Sequence, residues 1–100
     1  MIALNEAVEV IKLLPNEFDS HDFIKAYILK FTTSYMVMVD NADKKKSSSD
    51  GTDGVITIVD RIIGAFLLRH QDDLNIQQLG KKTTENILGR ESDCEKWKKK

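Results

Sequence analysis

The sequence predicts a mainly α-helical α+β domain in which about three helices lead into a small β-hairpin and a short C-terminal helix. Three observations carry this. Apolar residues recur at helical spacing over residues 3–14, 23–31 and 55–70. The spacing changes to strand-like alternation after Leu74. Punctuation residues stand where such helices begin and end, notably Pro15 and Asp19.

In the first segment Leu4, Ala7, Val8, Ile11 and Leu14 share one helical face, and Glu6, Glu9 and Lys12 take the other. Pro15 stops the helix, because its ring disfavours the helical conformation in the residue before it. The next segment opens with Phe18-Asp19-Ser20-His21-Asp22-Phe23. Asp19 is the N-cap, since its carboxylate accepts from first-turn amides, and Asp22 falls at N3. Phe18 and Phe23 then occupy the two positions of a hydrophobic staple. Phe23, Ile24, Tyr27, Ile28 and Phe31 form the buried stripe. Tyr35 to Val39 either extends this helix or forms a short strand, because β-branched residues and alternation occur there together.

Residues 41–54, NADKKKSSSDGTDG, hold no apolar side chain larger than Ala42, so burial cannot offset their ordering entropy. A flexible loop is expected at about 41–54, with Lys44, Lys45 and Lys46 solvated. Residues 55–70 form the strongest helical pattern, with Val55, Ile56, Val59, Ile62, Ile63, Phe66 and Leu67 on a wide apolar face. Thr52 or Asp53 is its expected cap. Gly64, inside it, suggests a neighbour packed against bare backbone. Leu74, Ile76 and Leu79 start the hairpin, Gly80-Lys81-Lys82 turn it, Thr83 to Leu88 return, and Gly89 ends it. Ser92-Asp93-Cys94-Glu95 then has capping-box spacing for a final helix carrying Cys94 and Trp97 on one side.

The chain has 100 residues, 41% hydrophobic and 31% charged, which fits one domain over residues 1–100. The net charge of −1 announces no polyanion partner, although residues 55–100 carry a net +2 and residues 81–100 a net +3. A lone cysteine, Cys94, excludes an intrachain disulfide and suits a reducing compartment. The first ten residues lack the basic and apolar regions of a secretory leader, and no apolar run reaches about 18 residues, so the expectation is a cytoplasmic protein without a membrane partner.

No catalytic, metal or cofactor motif is legible. His21 and His70 are far apart and neither has a thiol or acidic partner at ligand spacing. His21 is expected to be an exposed first-turn residue, His70 a helix C-terminal residue favoured by the dipole, and Cys94 a thiol packed beside Trp97. The glycines match no phosphate-cradling loop. The expectation is a protein that is not an enzyme and takes no cofactor.

The order helix, helix, helix, hairpin resembles a winged helix-turn-helix domain over roughly residues 3–90. The carriers are the stapled helix DSHDFIKAYILKF, the third-helix residues Ile63-Gly64-Ala65-Phe66-Leu67, and the hairpin LNIQQLGKKTTENILG. The resemblance implies a third helix in the DNA major groove and a wing on the backbone or minor groove. It makes Thr57, Arg61 and Arg69 the third-helix candidates and Lys81, Lys82 and Thr83 the wing candidates for binding double-stranded DNA, in a regulator or mobile-element accessory factor. Lysine and arginine would hold phosphates, and a few side chains on a rigid helix would read bases. The other expectation is an adaptor that binds a protein partner or forms a homodimer, favoured by the near-neutral charge and the apolar third helix.

Overall fold

The structure is a computed structural model that describes residues 2–45 and 51–100. It is α+β: helices α1 (Leu4–Leu13), α2 (Ser20–Lys30), α3 (Thr32–Lys45) and α4 (Gly51–Arg69), with strands β1 (Glu17–Asp19), β2 (Ile76–Glu85) and β3 (Glu91–Lys99). The three strands make one antiparallel sheet in the order β1-β3-β2.

The local signals of the N-terminal third operate as expected. α1 ends before Pro15, burying Ala7, Val10 and Ile11, while Leu4 lies outside the buried stripe. Asp19 caps α2: its Oδ1 accepts from the Asp22 amide at 2.7 Å, and Asp22 Oδ2 accepts from the Asp19 amide at 3.1 Å. Both staple residues, Phe18 and Phe23, are buried. Phe18 has a second role that local patterning hides, since Glu17–Asp19 forms the edge strand β1 and pairs with Lys96–Lys98 of β3.

Tyr35 to Val39 is helical, but in a separate helix. The backbone leaves helical geometry at Phe31 (φ −123°, ψ 52°), and α3 restarts at Thr32, whose hydroxyl donates to the Ile28 carbonyl at 2.6 Å. The expected loop at 41–54 is shorter than its composition suggested. α3 runs on to Lys45 and α4 begins at Gly51, so Lys44 and Lys45 are helical and Thr52 and Asp53 lie in the first turn of α4 instead of capping it. Polar helix ends need no burial once the apolar part of the helix is anchored, and α4 is anchored by Val55, Val59, Ile63 and Leu67 at every fourth position, all buried. Residues 46–50 of that expected loop lie outside the described residues.

The C-terminal quarter differs most from expectation. The hairpin turn is Asn86–Arg90, not Gly80-Lys81-Lys82. The Asn86 side-chain oxygen accepts from the Leu88 and Arg90 amides, the Asn86 amide donates to the Arg90 carbonyl at 2.8 Å, and Gly89 supplies a positive φ of 76°. Gly80 (φ 122°) marks instead a β-bulge in β2, where the register steps from Gln78↔Trp97 to Gly80↔Lys96 and Leu79 is the extra residue. Lys81 and Lys82 therefore sit within strand β2, opposite Glu95 and Cys94, and Thr83 and Thr84 continue that strand. The expected final helix is strand β3. Pairing with both β1 and β2 satisfies its backbone groups on both edges, which outweighs the weak capping signal at Ser92. Three-residue spacing joins faces on a helix but separates them on a strand, so Cys94 and Trp97 part company.

Trp97, at the centre of the sheet, is fully buried and packs into one core with Val10, Phe23, Tyr27, Val59, Ile63, Leu67 and Ile76. Gly64 meets no neighbour within 4 Å of where a Cβ would stand, so close packing does not explain it.

Candidate functional site

Three elements converge on an open groove of about 580 Å³: the N-terminus of α2, the solvent side of α4, and the hairpin. Capping at Asp19 aims the first turn of α2 at the hairpin. Ser20 and His21, both buried, supply its contacts. Ser20 Oγ accepts the Trp97 indole N–H at 3.0 Å and donates to the Glu95 carbonyl at 3.4 Å. His21 Nδ1 lies 2.7 Å from Thr84 Oγ1 and Nε2 lies 3.2 Å from Ser92 Oγ, so its ring bridges β2 and β3. Ser92 also accepts from the Asn86 amide group at 3.2 Å, which ties the turn into the same network.

His21 is thus 6% exposed and not the surface residue expected from its first-turn position. Burial holds its pKa below the ordinary 6.5. Lys25 pushes the same way, whereas Asp19 and Asp22 oppose it. On the opposite wall, Asp60 is half-buried, and burial pushes its carboxyl up to about 6, although the Tyr35 hydroxyl donates to it at 3.5 Å. His70, next to the end of α4, keeps the expected place, with Nδ1 3.0 Å from Asp73 Oδ2.

Of the six residues singled out by the resemblance, the fold brings Thr57, Arg61 and Lys81 to this groove. Arg69 is the exposed last residue of α4, and Lys82 and Thr83 are exposed on β2; none of these three lines the groove. The Thr83 hydroxyl donates to Asp93 Oδ1 at 2.6 Å. Asp60, Asp93 and Glu95 line the groove beside Arg61 and Lys81, so its charge is mixed with an acidic excess.

No ligand set is visible in linear spacing, yet folding draws one together. One donor atom each from Asp19, His21 and Cys94 lies within 4.8 Å of the other two. Asp19 and His21 are buried and Cys94 is half-buried, with Sγ 3.6 Å from Thr84 Oγ1. Only the i, i+2 pair Asp19 and His21 is local. The third donor arrives because β1, which ends at Asp19, pairs with β3.

Among the described residues, no helix is long and apolar enough to cross a membrane. No family model matches the chain, and neither the curated proteins nor the solved structures contain a match to it.

Proposed function

We propose that the chain is a small, non-catalytic, winged-helix-like DNA-binding protein, with α4 as the helix that meets the duplex and β2–β3 as the wing. The observation that carries this reading is the shared groove. Thr57 and Arg61 of α4 and Lys81 of β2 line one concavity, so helix and ribbon present one continuous surface. The chain order supports it as well: a short strand after the first helix joins a C-terminal hairpin that directly follows the longest helix. Asp60, Asp93 and Glu95 inside the groove repel phosphate. Backbone contacts therefore fall to Arg61 and Lys81 and to the exposed Arg69 and Lys82 outside the groove.

The test is fluorescence anisotropy with a random-sequence duplex across a salt series. The expected result is binding at low salt that weakens log-linearly, with the slope falling by about two when Lys81 and Lys82 are both changed to Glu. Absence of binding at low salt overturns the proposal.

The acidic excess in the groove favours a second reading, an adaptor whose protein partner brings cationic side chains to Asp60, Asp93 and Glu95. It predicts no duplex binding, and a protein complex that Asp93→Lys weakens. A homodimer in light scattering would identify a second copy of the chain as that partner.

A further inference from the structure

We propose that Asp19, His21 and Cys94 form a binding site for a thiophilic divalent cation of the zinc class, placed where α2 meets the hairpin. The donor set is a carboxylate, an imidazole and a thiol, the three side-chain types that zinc takes. The donor atoms already lie within 4.8 Å of one another. The centre of a triangle of that side is about 2.8 Å from each corner, so zinc bonds of about 2.0–2.3 Å ask each donor to close by roughly half an ångström or a little more. Such a movement lies within reach of side-chain torsions on a formed backbone.

The surroundings fit a metal site in further ways. Metal-bound histidine is oriented by a partner on its other ring nitrogen. His21 has a hydroxyl on each nitrogen, Thr84 on Nδ1 and Ser92 on Nε2, so whichever nitrogen turns to the metal, the other stays held. Ser92 is itself fixed by Asn86. Asp19 uses Oδ1 as the helix cap, and a carboxylate has a second oxygen to offer. The thiol loses its proton to solvent as the metal binds. His21 and Cys94 both line the groove, so the fourth coordination position opens onto it and is filled by water or by a donor from a bound partner. The bound ion would clasp the hairpin to the start of α2, because Asp19 is the N-cap of α2 and the last residue of β1, His21 lies in the first turn of α2, and Cys94 belongs to β3. It depends on no part of the DNA-binding proposal.

Cobalt(II) added to chelator-treated full-length protein is the probe. The expected result is one equivalent bound, with a near-ultraviolet thiolate-to-cobalt charge-transfer band, the visible bands of tetrahedral cobalt, and displacement by zinc. Cys94→Ser should abolish the charge-transfer band. Asp19→Asn preserves the helix cap, because Asn caps as well as Asp, and should weaken binding by about tenfold or more. Zinc should slow alkylation of Cys94 in the parent protein by a similar factor and have a much smaller effect in Asp19→Asn. An octahedral cobalt spectrum without charge transfer, a Cys94 alkylation rate that zinc leaves unchanged, or undiminished affinity in Asp19→Asn would each overturn the site.

Discussion

The indole N–H of Trp97 on the central strand donates to Ser20 Oγ, the first residue of α2, across 3.0 Å of buried space. This bond joins the central strand of the sheet to the first residue of α2, and Ser20 relays it to the Glu95 carbonyl. Trp97→Ala should cost about 3–5 kcal/mol, through lost burial and a cavity that the sheet cannot close. Ser20→Ala removes little volume but strands a buried donor, and should cost about 1–3 kcal/mol. Urea unfolding with an unchanged slope measures both. A Ser20→Ala variant as stable as the parent would show that the indole finds another acceptor.

Asp19 has a capping role that metal-free protein isolates. Asp19→Ala should lose about 1 kcal/mol, within the usual range for cap removal, and Asp19→Asn only a few tenths. Both are read by chemical denaturation in chelator. Equal losses in the two variants would point to the carboxylate charge beside Lys96 as the dominant contribution in place of the cap.

Two groups in the groove give pH dependences of opposite sign. His21 has a depressed folded pKa, so its contribution to stability is complete above about 6.5 and is lost as pH falls through the folded value. Asp60 has a raised folded pKa of about 6, against an ordinary 3.8. Its contribution is complete below 3.8 and is lost as pH rises through about 6. Asp60→Asn should therefore gain stability over the parent above pH 6, with the gain shrinking toward pH 4. His21→Gln should flatten the loss of stability below pH 6.5. Unfolding midpoints between pH 4 and 8 measure both, and parallel curves for parent and Asp60→Asn would contradict the first expectation.

Glu6 stitches three helices together. Its carboxylate accepts from the Tyr27 hydroxyl at 3.0 Å, the Ser34 hydroxyl at 2.8 Å and the Ala3 amide at 3.3 Å. Burial alone would raise the pKa of Glu6, but these hydrogen bonds outweigh it and hold the carboxyl below its ordinary value. Burial and the same contact push Tyr27 up to about 12. Glu6→Ala should cost about 1–3 kcal/mol by orphaning two hydroxyls, and should bring the Tyr27 titration down toward its ordinary range. Ultraviolet absorbance against pH follows the tyrosine. A midpoint unmoved in Glu6→Ala would leave burial as its sole cause.

Short-range chemistry explains what was legible in advance. Pro15 and the Asp19–Asp22 cap act within a few residues and are found in place, and the two staple residues, Phe18 and Phe23, are both buried. The ladder Val55, Val59, Ile63 and Leu67 was equally readable, because helical periodicity is a property of one segment. The hairpin was legible as an element but not in its register. Glycine serves turns and bulges alike, so Gly80 drew the turn to the wrong place, although Asn86 and Gly89 carried the true signal. Residues 91–99 looked helical because a capping-box spacing is local, whereas strand pairing is not.

By itself, then, the sequence determined an α+β chain, the stop of α1 at Pro15, the start of α2 at Asp19, and most of its buried helical faces. Tertiary structure alone decided that Glu17–Asp19 is a strand, that β3 lies between β1 and β2, that His21 is buried between two hydroxyls, and that Cys94 meets Asp19 and His21. The physical reason is range. A cap or an amphipathic face is satisfied within a few residues, but an edge strand and a buried imidazole find their partners on the far side of the chain, where no local spacing records them.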